Sequence, residues 1–124
     1  MSDCGICITH DFEGPADVWE SINRKARKQY RCCECGKTIE VGDTYELYSI
    51  LYDGSWSKYK TCLVCAEIAA AFCCDGRIFG TLWSDFHDCD IWQEITTACF
   101  DKLDTPEAKA ELRRRWMRWK GLVA

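Results

Sequence analysis

Cysteine dominates the chemistry open to this chain. Eleven of its 124 residues are cysteine, against two histidines. Cys-x-x-Cys recurs three times, at Cys4/Cys7, Cys32/Cys35 and Cys62/Cys65. Two thiolates so spaced converge on one ion when the backbone between them turns tightly. A structural zinc ion takes four such soft ligands in a tetrahedron. Cys32, Cys35, Cys62 and Cys65 form the strongest set. Gly36 follows the second thiolate and suits the turn, because glycine tolerates positive φ. Cys62 and Cys65 are expected in the first turn of a helix, whose positive end stabilises thiolates. The competing explanation, buried thiols without metal, gives no reason for the paired spacing.

Cys33 sits between two ligand candidates and fits poorly into the same tetrahedron. It either replaces Cys32 or points to a second ion. The second site expected is Cys4, Cys7, Cys33 and Cys74, with Cys73 as a substitute for Cys74; the alternative is one zinc plus buried thiols. Cys89 and Cys99 read as small apolar residues on a helical stripe. His87 lies in an acidic run with Asp85, Asp88 and Asp90, and His10 stands beside Asp11, so both read as solvated.

No catalytic constellation emerges. A four-cysteine zinc site leaves no position for a reacting water. There is no His-Glu-x-x-His, phosphate loop, nucleophile elbow or zinc-deaminase signature. No βαβ pattern surrounds a Cys-x-x-Cys, which speaks against a thioredoxin-like role. The expectation is a protein that is not an enzyme.

The elements that must position these sulfurs follow from pattern. Gly14-Pro15 opens a helix in which Val18, Trp19, Ile22 and Ala26 share a face. Thr44 to Leu51 is rich in β-branched and aromatic residues, Asp53-Gly54 signals a turn, and Ser55 to Thr61 is the return strand. Cys62 to Cys74 is helix-prone, with Gly76 as its stop. Beyond Gly80, Phe86, Cys89, Trp92, Ile95, Cys99 and Leu103 form a helical stripe. Asp104-Thr105-Pro106-Glu107 starts a last helix that runs to about Lys120. The fold expected is α+β, a single domain. Residues 1–31 carry the first cysteine pair and a helix, 32–76 the zinc module, and 77–124 a helical extension of two helices.

Net charge is −4 with neutral thiols, and each four-thiolate zinc site lowers it by two, so polyanions are not favoured by charge alone. Charge is uneven, however. Residues 104–124 carry six basic and three acidic side chains. Arg113, Arg114, Trp116, Arg118 and Trp119 form a candidate binding surface, since interleaved arginine and tryptophan can grip phosphates and stack on bases, or fill an acidic partner's groove. Against this, Leu112, Trp116 and Trp119 keep the spacing of a core stripe. Arg24 to Arg31 is a second basic stretch. No run is long and apolar enough for a membrane helix, and MSDCGICITHDFEG has no secretory pattern, so a cytoplasmic protein is expected.

The stretch from Cys32 to about Cys74 resembles treble-clef zinc modules, in which a knuckle and a helix start supply two ligands each. The resemblance implies zinc at Cys32, Cys35, Cys62 and Cys65, but no particular function. MSDCGICI, Gly14 to Asp17 and CCECGKTI together look like small cysteine-rich proteins of tailed bacteriophages and prophages. That resemblance implies an accessory protein in a bacterial cytoplasm, with a host protein, including a defence component, as its partner. The leading expectation is therefore a zinc-stabilised binding protein with a protein partner. A nucleic-acid-binding regulator using Arg24–Arg31 and Arg113–Arg118 is the second, and a thiol redox protein the third. The sequence leaves the oligomeric state open.

Overall fold

The computed structural model describes residues 4, 5, 8, 18–73, 79–89 and 91–121. The fold is mixed α+β and divides into two compact units, His10–Ala66 and the pair of segments Met1–Thr9 and Glu67–Ala124. The boundary falls within a helix.

The first unit is built on a three-stranded antiparallel sheet, β1 (Val18–Lys25), β4 (Thr44–Tyr52) and β5 (Ser55–Cys62), in the order β1-β4-β5. Asp53 and Gly54 join β4 to β5, with φ of 52° and 79°. Positive φ at both central residues is what a two-residue turn needs to match the twist of its strands. Between β1 and β4 lies a small hairpin, β2 (Tyr30–Arg31) and β3 (Thr38–Ile39), with the cysteine knuckle at its tip. Tyr45, Leu47, Ile39, Ala26, Cys32, Thr61 and Cys65 are buried. The β4–β5 turn end of the sheet leaves Trp19 (63% exposed), Trp56 (57%) and Tyr52 in solvent, and Ile22 is exposed in mid-strand.

Strand β1 corrects the expected N-terminal helix. Val18, Trp19, Ile22 and Ala26 fall at helical spacing, yet β1 pairs with β4 over eight positions, from Val18 with Leu51 to Lys25 with Thr44. Eight cross-strand pairs, six of them with a β-branched or aromatic residue, outweigh a short coincidence of period. Trp19 and Ile22, three apart, lie on opposite faces of the sheet. Gly14 and Pro15 lie outside the described residues.

Helix α1 (Leu63–Phe72) follows β5 directly. The second unit continues with α2 (Leu82–Asp88), α3 (Ile91–Glu94), a 3-10 helix (Thr97–Lys102) and α4 (Pro106–Trp119). The stripe read beyond Gly80 is thus broken into three short helices. Its residues still form the core: Phe86, Trp92, Ile95, Cys99 and Leu103 are buried with Ile68, Phe72 and Leu112, while Cys89 is exposed. Phe86 packs against Phe72 and Trp92 at ring-centroid distances of 5.3 and 4.7 Å. Among the described residues no helix is long and apolar enough to cross a membrane.

The α4 start matches its expected signature. Thr105 is the N-cap, its Oγ1 accepts from the Ala108 N–H (3.2 Å), and Pro106 opens the first turn. Glu67 on α1 completes the cap. Its carboxylate accepts from the Asp104 N–H (2.6 Å), the Thr105 N–H (3.0 Å) and Thr105 Oγ1 (2.7 Å). Burial alone would raise the Glu67 pKa. The hydrogen bonds from Thr105 and Asp104, helped by the Lys109 charge, outweigh it and hold the carboxyl below its ordinary 4.5. A carboxyl depressed on folding stabilises above its unfolded pKa and loses that contribution as pH falls through the folded value. Glu67→Gln is expected to cost about 1 kcal/mol at neutral pH, the scale of a lost helix cap. The difference from wild type should shrink below about pH 4.5; denaturant melts at the two pH values check this.

Candidate metal centre

The knuckle is fixed by backbone bonds before any metal is considered. Cys32 N–H donates to the Lys37 carbonyl (2.9 Å), and Gly36 N–H donates to the Cys32 carbonyl (3.0 Å). Gly36 takes φ 75°, as its place after the second cysteine required. Strand β5 then delivers Cys62 as its last residue, and Cys65 is the third residue of α1. The second pair therefore straddles the strand–helix junction rather than lying wholly within the helix.

The sulfurs of Cys32, Cys35, Cys62 and Cys65 all lie within 4.8 Å of one another and could hold a metal ion. Cys35 Sγ and Cys62 Sγ are 3.8 Å apart. A tetrahedron with metal–sulfur bonds of ~2.3 Å has sulfur–sulfur edges of ~3.8 Å, so the donor set fits a single ion. Cys32 and Cys65 are buried, while Cys35 and Cys62 are partly exposed. The Glu34 and Cys62 N–H groups each donate to Cys32 Sγ at 3.4 Å.

Hydrogen bonding among the thiols singles out Cys32 as the acceptor. Hydrogen bonds from the Cys62 and Cys65 thiols hold Cys32 far below the usual thiol range. Bonding to Cys32 pushes Cys62 up to about 12. Hydrogen bonds to Cys32 and Cys62, with burial, push Cys65 higher still. A divalent cation reverses this balance, because each thiolate then faces a positive charge instead of a neighbouring negative one.

Cys33 stays out of the cluster. Its N–H donates to the Lys60 carbonyl (2.9 Å), and its Sγ lies 3.4 Å from Thr61 Oγ1.

The expected second ion is corrected at Cys4. Cys4 Sγ is joined to Cys99 in a disulfide across 95 residues of sequence, so neither sulfur is an available thiolate. Cys99 is accordingly a covalent anchor rather than merely a small apolar residue. Cys33 is engaged elsewhere, and Cys7 and Cys74 lie outside the described residues. Cys73 instead meets the N-terminal segment: Ile8 forms an isolated parallel bridge with it and donates its N–H to the Phe72 carbonyl (2.7 Å). No local pattern in the sequence marks the Cys4–Cys99 pair.

The α4 surface separates into two classes. Leu112 is fully buried, Trp116 half-buried and Trp119 41% exposed, so the core stripe fades along the helix. Arg114 forms a bidentate pair with buried Glu111, through Nε (2.9 Å) and Nη2 (2.8 Å), and Arg115 lies 3.7 Å from the same carboxylate. Arg115 also covers the Trp83 ring at 4.0 Å. Arg113 and Arg118 are exposed. Arg24, Lys25, Arg27, Lys28 and Arg31 are all exposed and belong to the other unit.

Cys35→Ser and Cys62→Ser are expected to abolish metal uptake and unfold the His10–Ala66 unit, since structural zinc contributes on the order of 10 kcal/mol in finger peptides. Cys33→Ser should keep the full metal content. Elemental analysis of the three variants, alongside circular dichroism, separates ligand from bystander. Comparison with protein-family models, with curated proteins and with solved structures found no match for this chain.

Proposed function

We propose that the four-cysteine cluster binds zinc and that the protein is a non-enzymatic binding module braced by that ion. The observation that carries this reading is the closed donor set: four sulfurs within 4.8 Å of one another on a knuckle and a strand–helix junction. Zinc so held supplies folding energy and offers no open position for chemistry. The order of knuckle, hairpin and helix supports the treble-clef likeness. Trp19, stacked on Tyr48 at 5.7 Å, and exposed Tyr52 share one face of the sheet at the end remote from the cluster. Large apolar groups left exposed in this way mark contact surfaces.

A protein partner in a bacterial cytoplasm, encountered by a phage accessory protein, fits the sequence resemblance. The Cys4–Cys99 disulfide tests the compartment, because such bonds are rare in a reducing cytosol. Rapid alkylation of thiols in expressing bacteria should find the pair reduced; a stable disulfide there would remove the cytoplasmic assignment.

Elemental analysis should find one zinc per chain. A strong chelator should abolish the cooperative melting of the His10–Ala66 unit. A metal-free protein that keeps that transition would overturn the reading. A nucleic-acid role is the second reading, favoured by the five exposed cations between Arg24 and Arg31 on the unit that bears Trp19. It requires binding to single-stranded oligonucleotides that weakens steeply with salt.

A further inference from the structure

Phe100 of the 3-10 helix and Pro106, Ala110 and Trp116 of α4 line a groove of about 470 Å³, with Lys109 and Arg113 among the residues at its wall. That volume lies in the range of ligand sites. Its aromatic walls meet with ring centroids 5.6 Å apart. Lys109, Arg113, Trp116 and Lys120 follow spacings of four, three and four, which place them on one stripe of the helix. Lys120 Nζ sits 3.9 Å from the Trp116 ring centroid. Glu111 is occupied by Arg114 and Arg115. Arg113, by contrast, is exposed and has no carboxylate partner among the described residues. The groove therefore joins an apolar bed to the Arg113 charge, which no described carboxylate of the fold takes up.

We infer that this groove binds an acidic, aromatic-bearing segment of a partner protein. A bulky apolar side chain of that segment seats between Phe100 and Trp116, and flanking carboxylates pair with Arg113 and Lys109. Charge complementarity selects the acidic character, and the apolar walls select the aromatic one. A nucleic-acid strand is the poorer occupant. Asp101, Asp104 and Glu107 lie exposed in the same stretch and repel a strand that carries a phosphate at every nucleotide, whereas a peptide needs carboxylates only where Arg113 and Lys109 meet it. The inference rests on the binding-module reading and names the chemistry of its partner.

The test uses the full zinc-loaded chain and three synthetic peptides: one of aspartate and phenylalanine, one of aspartate and alanine, and one of lysine and phenylalanine. Fluorescence of the protein tryptophans reports binding, and an oligothymidylate serves as competitor. The aspartate–phenylalanine peptide should bind best, with affinity falling about tenfold or more in Arg113→Glu, the effect of reversing a contacting charge. Trp116→Ala should also weaken it. Arg113→Glu lies at an exposed position and should keep the wild-type zinc content and melting curve, so loss of binding there is not loss of fold. Equal binding of the three peptides, or unchanged affinity in Arg113→Glu, overturns the inference. So does oligothymidylate binding that Arg113→Glu abolishes while the peptides remain unbound. Failure of the zinc reading shows separately, as absent metal in the wild type.

Discussion

Four sulfur atoms from two stretches of chain, Cys32–Cys35 and Cys62–Cys65, meet within 4.8 Å. Gathering four such donors at one point is the constraint around which the His10–Ala66 unit is organised. Its apolar core is small, resting mainly on Ile39, Tyr45, Leu47 and Ala26 around Cys32 and Cys65. A core of that size is marginal for independent folding, and small domains commonly add a metal or a covalent staple. The knuckle, the β4–β5 hairpin and the first turn of α1 each have local reasons to form, yet none of those reasons brings the two cysteine pairs together. A divalent ion would do so by displacing the thiol protons and binding the thiolates of both pairs.

The remaining unit is held differently. Phe72, Phe86 and Trp92 form an aromatic core, Glu67 ties α1 to the start of α4, and the Cys4–Cys99 disulfide secures the N-terminal segment. Buried Glu111 draws Arg114 and Arg115 inward, so a helix with five cations presents fewer of them to a partner than its sequence implies. The groove beside Arg113 is what this sorting leaves free.

The four-cysteine cluster was legible from the sequence because its determinants are local: two Cys-x-x-Cys pairs, a glycine after one, and a hairpin signal between them. The Thr105 cap was legible for the same reason. Strand β1 was not, because Val18, Trp19, Ile22 and Ala26 satisfy a helical period by chance, and only pairing with distant β4 decides the matter. The helical stripe gave five buried residues, Phe86, Trp92, Ile95, Cys99 and Leu103, but misplaced exposed Cys89 and missed the breaks, since burial of those five does not require one continuous helix. The Cys4–Cys99 bond was out of reach because a disulfide partner 95 residues away leaves no trace in local pattern.

That same separation bears on biosynthesis. At ribosomal speeds of ~5–20 residues per second, Cys4 waits roughly 5–20 s before Cys99 is made. Throughout that interval Cys32, Cys33, Cys35, Cys62 and Cys65 emerge as rival nucleophiles. An ion captured by four of them sequesters those thiols before the late cysteine arrives. Metal supply would then govern how faithfully the chain is crosslinked wherever it meets an oxidant, and starvation for the ion would surface there as scrambled covalent isomers.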